Sequence, residues 1–280
     1  MAADLNDIQR AASEQFGRQS HRYARGHILE NVEDVQAALG RITVPTRARV
    51  LDVATGAGHT GLFLASLGHE VTLCDLTEAM LERARESAAA RGLSVQLRQH
   101  SAEAMPYAGG SFDLVTCRVA PHHFSSPGQF VAEVARVLAP GGWFLLIDGS
   151  VPDDEPEAEA WLHEVEKLRD PSHHRFLTPR AWAALCHAAS LTVRVSELHP
   201  RKQPDLNWYF GTAATPPENR RQVLDLVARA PAAVRRVLAL GEEDGKIVWW
   251  WPMLTLIARK GGPGSTGCSP AFPSGRSENH

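Results

Sequence analysis

From residue 49 onward, short apolar runs alternate with amphipathic stretches. The runs fall near 49–54, 70–75, 94–99, 112–117 and 142–147, with helical periodicity near 59–67, 78–91 and 128–138. Continuous apolar runs separated by 3.6-period segments predict parallel βαβ units, because parallel strands need a crossover and are buried on both faces. Pro140, Gly141 and Gly142 make a turn into the run WFLLID. Residues 1–48 are polar and helical, with Phe16, Tyr23, Ile28 and Leu29 among basic residues and histidines. Residues 151–190 read as mostly helical, and Thr178–Pro179 has the form of an N-cap followed by proline at the first helical position. LTVRVSEL, 191–198, alternates as a strand does, and 205–240 is helical with Pro and Gly breaks. IVWWWPMLTLIAR, 247–259, is expected to be a final buried strand, with Pro252 at an edge or a bulge. Alternation there sends Trp250 the opposite way from Trp249 and Trp251, so the cluster reads as packing rather than a cation cage. The Gly-, Pro- and Ser-rich stretch 261–280 is expected to be disordered.

The segment VLDVATGAGHTG, 50–61, carries the chemistry. It reads as buried strand, glycine turn and helix start, with Gly56 and Gly58 where the backbone turns sharply and approaches a ligand. Asp75 closes the next apolar run, VTLCD, where an acid can accept from both hydroxyls of an adenosine ribose. Asp75 is equally placed to cap the helix that follows. Gly56, Gly58 and Gly61 also satisfy GxGxxG, so these glycines alone leave a dinucleotide site open, and with it an NAD-dependent oxidoreductase.

Composition narrows the classes. A chain of 280 residues with 44% hydrophobic and 22% charged residues suits a globular enzyme. The net charge of −3 and the lack of a basic stripe argue against nucleic acid. No stretch has the length of a membrane span or the form of a secretory leader, so a cytoplasmic location is expected. Four cysteines without CxxC spacing suggest neither a zinc site nor a disulfide framework, and no metal is expected.

The series LDVATGAGHTG, VTLCDLTEAMLERA, SAEAMPYAGGSFDLVTCR, APHHFSSP and EVARVLAPGGWFLLID resembles the class I S-adenosylmethionine-dependent methyltransferases of the ubiquinone/menaquinone-biosynthesis-like branch (methyltransferase type 11), from about Phe16 to Arg259. PYAGGSFDLV and LAPGGWFLL favour this series over a dehydrogenase. The resemblance implies a Rossmann-like, seven-stranded, mostly parallel α/β sheet with helices on both faces and a helical lid. The lid would be 1–48, the methyltransferase domain 49–260, and the insertions around 151–180 and 200–245 would cover the substrate site. It implies S-adenosylmethionine as cofactor. Asp52 would orient the glycine loop and reach the methionine amine, directly or through water, and Ala54, Thr55, Gly56 and Gly58 would line the methionine moiety. Asp75 would hold the ribose, with Leu76 and Met80 against the adenosine, and Ala102 and Glu103 would flank the adenine. Ser101 stands where relatives often have an acid for the adenine amine. Cys117 and Arg118 would face the methionine end through backbone groups, and Tyr23 would close over it.

Methyl transfer needs alignment in a dry pocket, and a base only where the nucleophile arrives protonated. His122 and His123, after the fourth strand, are the base candidates; packing or a cap is the alternative for either. Arg169, His173 and His174 in KLRDPSHHR are candidates for substrate contact, against a plain polar turn. Trp208, with Tyr209 and Phe210, suits a substrate wall. The expectation is a methyltransferase acting on a small-molecule acceptor, possible as a homodimer. A non-catalytic cofactor-binding protein is the other rival.

Overall fold

The protein is described here as a computed structural model covering residues 5–23, 28–203 and 205–262, with the side chains of Arg22 and Tyr23 outside that description. The expected disordered tail lies outside the described residues from 263 onward, as does the Tyr23 side chain.

The chain begins with α1 (Asp7–Gln19), two 3₁₀ turns, and α2 (Glu33–Leu39). The alternating region follows: β1 (Arg49–Val53), α3 (His59–Ser66), β2 (Glu70–Asp75), α4 (Glu78–Ala90), β3 (Gln96–Gln99), β4 (Phe112–Arg118), α5 (Pro127–Val137) and β5 (Leu138–Gly149). Then come α6 (Pro156–Arg169), α7 (Pro179–Ala188), β6 (Leu191–Lys202), α8 (Leu206–Ala213), α9 (Pro217–Ala228) and α10 (Ala232–Val237). A small hairpin, β7 (Gly241–Glu243) and β8 (Lys246–Val248), leads into β9 (Trp250–Lys260). Seven strands form one sheet in the order β3-β2-β1-β4-β5-β9-β6. β1 to β5 pair in parallel, and β9 runs antiparallel between β5 and β6. The dinucleotide-binding sheet orders its strands 3-2-1-4-5-6, all parallel, so the antiparallel strand inserted here departs from it.

Thr178 caps α7 by accepting from the Ala181 N–H at 3.2 Å. Strands and helices form where the periodicity expects them up to β6, except that β5 begins at Leu138 and takes in the expected turn at 140–142, and the expected strand 247–259 divides between the β7–β8 hairpin and β9. Pro252 needs correction. It is neither at a sheet edge nor in a bulge but inside β9, a central strand, opposite Pro200 of β6. It is tolerated because the β5 ladder ends here: Gly149 opposite Met253 is the last pair, and beyond it the Ser150 N–H donates to the Pro252 carbonyl at 2.8 Å, a bond that needs no N–H from the proline.

Cores lie on both faces of the sheet, one under α5 and α7 and one under α2, α3 and α4. A third gathers α6, α8, α9, α10 and the fully buried Trp249, so the insertions have their own apolar support. Gly61 shows why the glycine series continues into α3: a Cβ there would stand 2.1 Å from Leu73 Cδ2. Helix and sheet approach too closely for any side chain. Among the described residues no helix is long and apolar enough to cross a membrane.

Candidate functional site

At the carboxyl ends of β1 and β4, beside that of β2, the chain leaves the sheet through strained turns. Ala54 and Val119 hold φ of +52°, and Gly56 +55°. Positive φ is costly for a β-branched valine, and such strain collects at functional sites. These turns form the floor of a solvent-connected cavity with about 890 Å³ of free space.

Asp52 organises the first turn. It is buried and accepts from Thr55 Oγ1, from the Gly61 N–H at 3.0 Å and from Thr116 Oγ1 at 2.7 Å. Burial raises its pKa, partly offset by those bonds. Both oxygens bond inside the loop and Asp52 does not line the cavity, so its contacts here orient the turn. Asp75 does line the cavity. Its Oδ2 accepts from the Gly56 N–H and its Oδ1 from the Thr77 N–H, both at 2.9 Å, so it ties β2 to the glycine turn. Burial raises its pKa to about 6, against the backbone donors. The N-cap of α4 is Thr77, so capping is not the role of Asp75.

Ala54, Thr55, Gly56, Asp75, Leu76, Met80, Ser101, Ala102, Glu103 and Arg118, all named from the sequence, line this cavity together. Gly58 and Cys117 do not. Gly58, at φ +87°, starts α3 and packs against Leu62 and Ala84. Cys117 is in the core, its thiol pushed well above the ordinary range by burial. Ser101 and Glu103 serve as anchors for α1: Gln9 Nε2 donates to Ser101 Oγ at 3.1 Å and to Glu103 Oε2 at 2.7 Å. Arg118 uses its side chain away from the cavity floor. It donates to Asp34 at 2.9 and 3.0 Å and to the carbonyls of Leu29 and Asn31 at 2.9 and 2.7 Å. It thereby pins the segment before α2 to the end of β4. Sequence reading missed this side-chain role and missed the α1 lining from Gln9, Ala12 and Ser13; polar spacing in α1 was the available signal.

A second cavity, with about 950 Å³ of free space, adjoins the first and shares Phe16, Leu29, Val119 and His123 with it. His122 lines the second cavity alone. Its Nδ1 lies 2.7 Å from Oδ1 of Asp148, a residue 1% exposed. A carboxylate only accepts, so the Nδ1 proton is fixed there and Nε2 is the basic nitrogen. Burial opposes charging His122, but the charge and hydrogen bond of Asp148 outweigh it and raise its pKa. His123 is the reverse case. Burial, with His122 beside it, lowers its pKa to about 3, and its Nδ1 donates to the Ser172 carbonyl at 3.0 Å.

The remaining candidates divide. Trp208 and Arg169 line the second cavity, but Arg169 is already committed to Glu166, the Tyr209 carbonyl and Thr212 at 3.0–3.1 Å. It braces α6 against α8. His173 is buried beneath the cavity without lining it, with Nε2 3.3 Å from His163 Nδ1, and burial lowers its pKa. His174 is exposed and lines neither cavity; its N–H and that of Arg175 hold the His122 carbonyl at 2.8 and 3.0 Å. The KLRDPSHHR segment therefore supports the His122–His123 turn from behind. Arg201, not singled out in the sequence, lines the second cavity, and so does Trp251, which the sequence reading assigned to packing. Among the described residues no group of three or more His, Cys, Asp or Glu could hold a metal ion.

The methyltransferase-domain family matches residues 51–146. Over 177 residues the chain is 36% identical to the uncharacterized methyltransferase YcgJ of Bacillus subtilis, spanning 63% of this chain and 70% of YcgJ. The crystal structure of YcgJ superposes with a TM-score of 0.76 over 82% of this chain and 99% of that one, at 29% identity. A demethylmenaquinone methyltransferase from Deinococcus radiodurans is 33% identical over 158 residues, 53% of this chain and 64% of that enzyme. The chain belongs to the class I S-adenosylmethionine-dependent methyltransferases.

Proposed function

We propose that the first cavity holds S-adenosylmethionine and the second a small-molecule methyl acceptor that arrives protonated. The observation that carries the second half is the His122–Asp148 pair on the wall of a cavity that opens onto the first.

The residues fit the cofactor. Asp75 presents a buried carboxylate to a diol, and Leu76, Met80, Ala102 and Phe124 give a flat apolar slot for an adenine. Gly56 has no heavy atom within 4 Å of where a Cβ would stand, leaving a bare backbone face at the cavity floor. When bound, S-adenosylmethionine supplies an electrophilic methyl on a sulfonium sulfur.

The chain supplies orientation, exclusion of water and a base. Phe16 and Leu29 close over the junction of the two cavities, which favours a dry path between them. His122 Nε2 takes the proton of the acceptor O–H or acidic C–H. Asp148 holds the imidazole in the required tautomer and stabilises the imidazolium, as a buried carboxylate does beside a catalytic histidine. His123, with a pKa near 3, is too weak a base for this near neutral pH and serves as a neutral wall.

The test is methyl transfer from labelled S-adenosylmethionine to a panel of phenols and 1,3-dicarbonyl compounds. With an accepted compound, His122→Asn should lower kcat by about 10²–10⁴-fold and His123→Asn by far less. Equal loss in both variants, or none in His122→Asn, would remove the base assignment.

A further inference from the structure

The second cavity holds one charge that the described chain leaves uncommitted. Its other ionic groups are engaged. Glu166 accepts from the Tyr209 hydroxyl at 3.0 Å and from Trp251 Nε1 and Arg169 at 3.1 Å. Asp170 accepts from the Ser172 N–H at 2.9 Å and Oγ at 2.6 Å, and Asp148, which does not line the cavity, holds His122.

Arg201 differs. A guanidinium offers five N–H donors. Among the described residues the Arg201 side chain makes a single hydrogen bond, to the Ile28 carbonyl at 3.4 Å, and no ion pair. Asp34, whose charge reaches it, is gripped directly by Arg118. The sequence running into Ile28, HRYARGH, contains no carboxylate. Burial and the nearby Arg118 charge both disfavour a cation at Arg201, so its placement needs a counter-charge.

The sheet register shows what accompanies it. Arg201 lies opposite Trp251, and Met253, two residues on, lies opposite Gly149. Side chains of period two share a face, so Arg201, Trp251 and Met253 project into one cavity. Trp208 packs 6.0 Å from Trp251, and Phe176 lies over Gly149. An aromatic wall therefore runs up to an open guanidinium fork, an arrangement matched by a planar, bidentate carboxylate.

We propose that Arg201 is the anion-binding residue of the acceptor site, and that the acceptor is a flat, apolar molecule bearing a carboxylate separate from the group that loses its proton to His122. The proposal rests on reading the second cavity as the acceptor site. A cationic acceptor is disfavoured, since the cavity's carboxylates are all engaged and Arg201 would repel it.

The test titrates protein saturated with S-adenosylhomocysteine with 4-hydroxybenzoate, 4-hydroxyphenylacetate and 3-(4-hydroxyphenyl)propanoate, each against its neutral amide. Quenching of Trp208 and Trp251 fluorescence reads occupancy. At least one acid should bind about ten-fold or more tightly than its amide, the range for a hydrogen-bonded charge pair. Arg201→Gln should bring the two within about two-fold while S-adenosylhomocysteine affinity stays unchanged. Should Arg201→Gln lose cofactor binding, Arg201→Lys replaces it; losing the fork should weaken the acids alone. Equal binding of acid and amide, no binding of any acid, or an acid preference that survives Arg201→Gln would overturn the proposal. An Arg201-dependent acid preference with no methyl transfer to the bound acid would keep the anion site and remove the acceptor reading.

Discussion

Asp75 carries a charge that its surroundings disfavour. Burial raises its pKa to about 6, well above an ordinary carboxyl, although two backbone N–H groups donate to it. The folded state therefore binds a proton more tightly than the unfolded chain. Its ionisation costs stability above pH 6, and that cost fades as pH falls toward the unfolded value. A ribose diol donating to the carboxylate needs the ionised form. Affinity for S-adenosylhomocysteine should thus be flat above neutrality and weaken below about pH 6, by up to about ten-fold per pH unit. Calorimetry across pH checks this, and Asp75→Asn should bind weakly with no such slope. Asp148 makes the opposite adjustment to His122. In Asp148→Asn, burial would act on His122 against only the charges of Glu166 and Asp170, so its titration, followed by NMR, should move to lower pH than in the wild type. Activity should then reach its plateau at lower pH, and the plateau should be reduced because the tautomer is no longer fixed. Of this pair only His122 was legible in the sequence. Asp148 sits in an apolar strand 26 residues away, and only the fold brings the two together.

The elements from β1 to β5 were readable because each carries one unambiguous period and the turns between them are marked by glycine or proline. What the periodicity could not give was β9 as a central strand. Its Pro252 signals an edge, and the register that excuses it is a tertiary fact. Nor could it show that Gly149 is a seat for Phe176. A Cβ there would stand 2.2 Å from Phe176 Cε1, and Phe176 lines the second cavity. Gly149→Ala should therefore cost about 1–3 kcal/mol through overpacking, seen as a lowered denaturation midpoint. It should also raise the acceptor KM with little change in cofactor affinity. Of the candidates in KLRDPSHHR, Arg169 lines the second cavity while bracing α6 against α8, and His173 and His174 line neither cavity. Histidines and arginines near a cavity read as ligand contacts until their own partners are known.

At the scale of the whole molecule, one layer covers both cavities. α1 is tied to Ser101 and Glu103 at one side and, through Gln15 and Gln19, to the Ala213 carbonyl at 3.1 and 2.9 Å at the other. Arg118 fastens the following segment, with its own side chain 4% exposed and that of Asp34 31% exposed. Because Asp34 stays partly solvated, Arg118→Met should cost about 2–3 kcal/mol, below the roughly 3–5 kcal/mol of a fully buried pair. Limited proteolysis should then cut the N-terminal segment faster, and cofactor should protect against it less. None of this cover could be assembled from sequence, since its bonds join residues about 90 to 200 positions apart. The glycine loop and the strand acid, in contrast, are local and could be read directly. The most direct test of the account is therefore calorimetric titration of the protein and of Asp75→Ala with S-adenosylhomocysteine, NAD serving as control. The account predicts micromolar binding of the homocysteine compound to the wild type, at least a ten-fold loss in Asp75→Ala, and no binding of NAD. Folded wild-type protein that ignores S-adenosylhomocysteine, or an Asp75→Ala variant that binds it as well as the wild type, would contradict it.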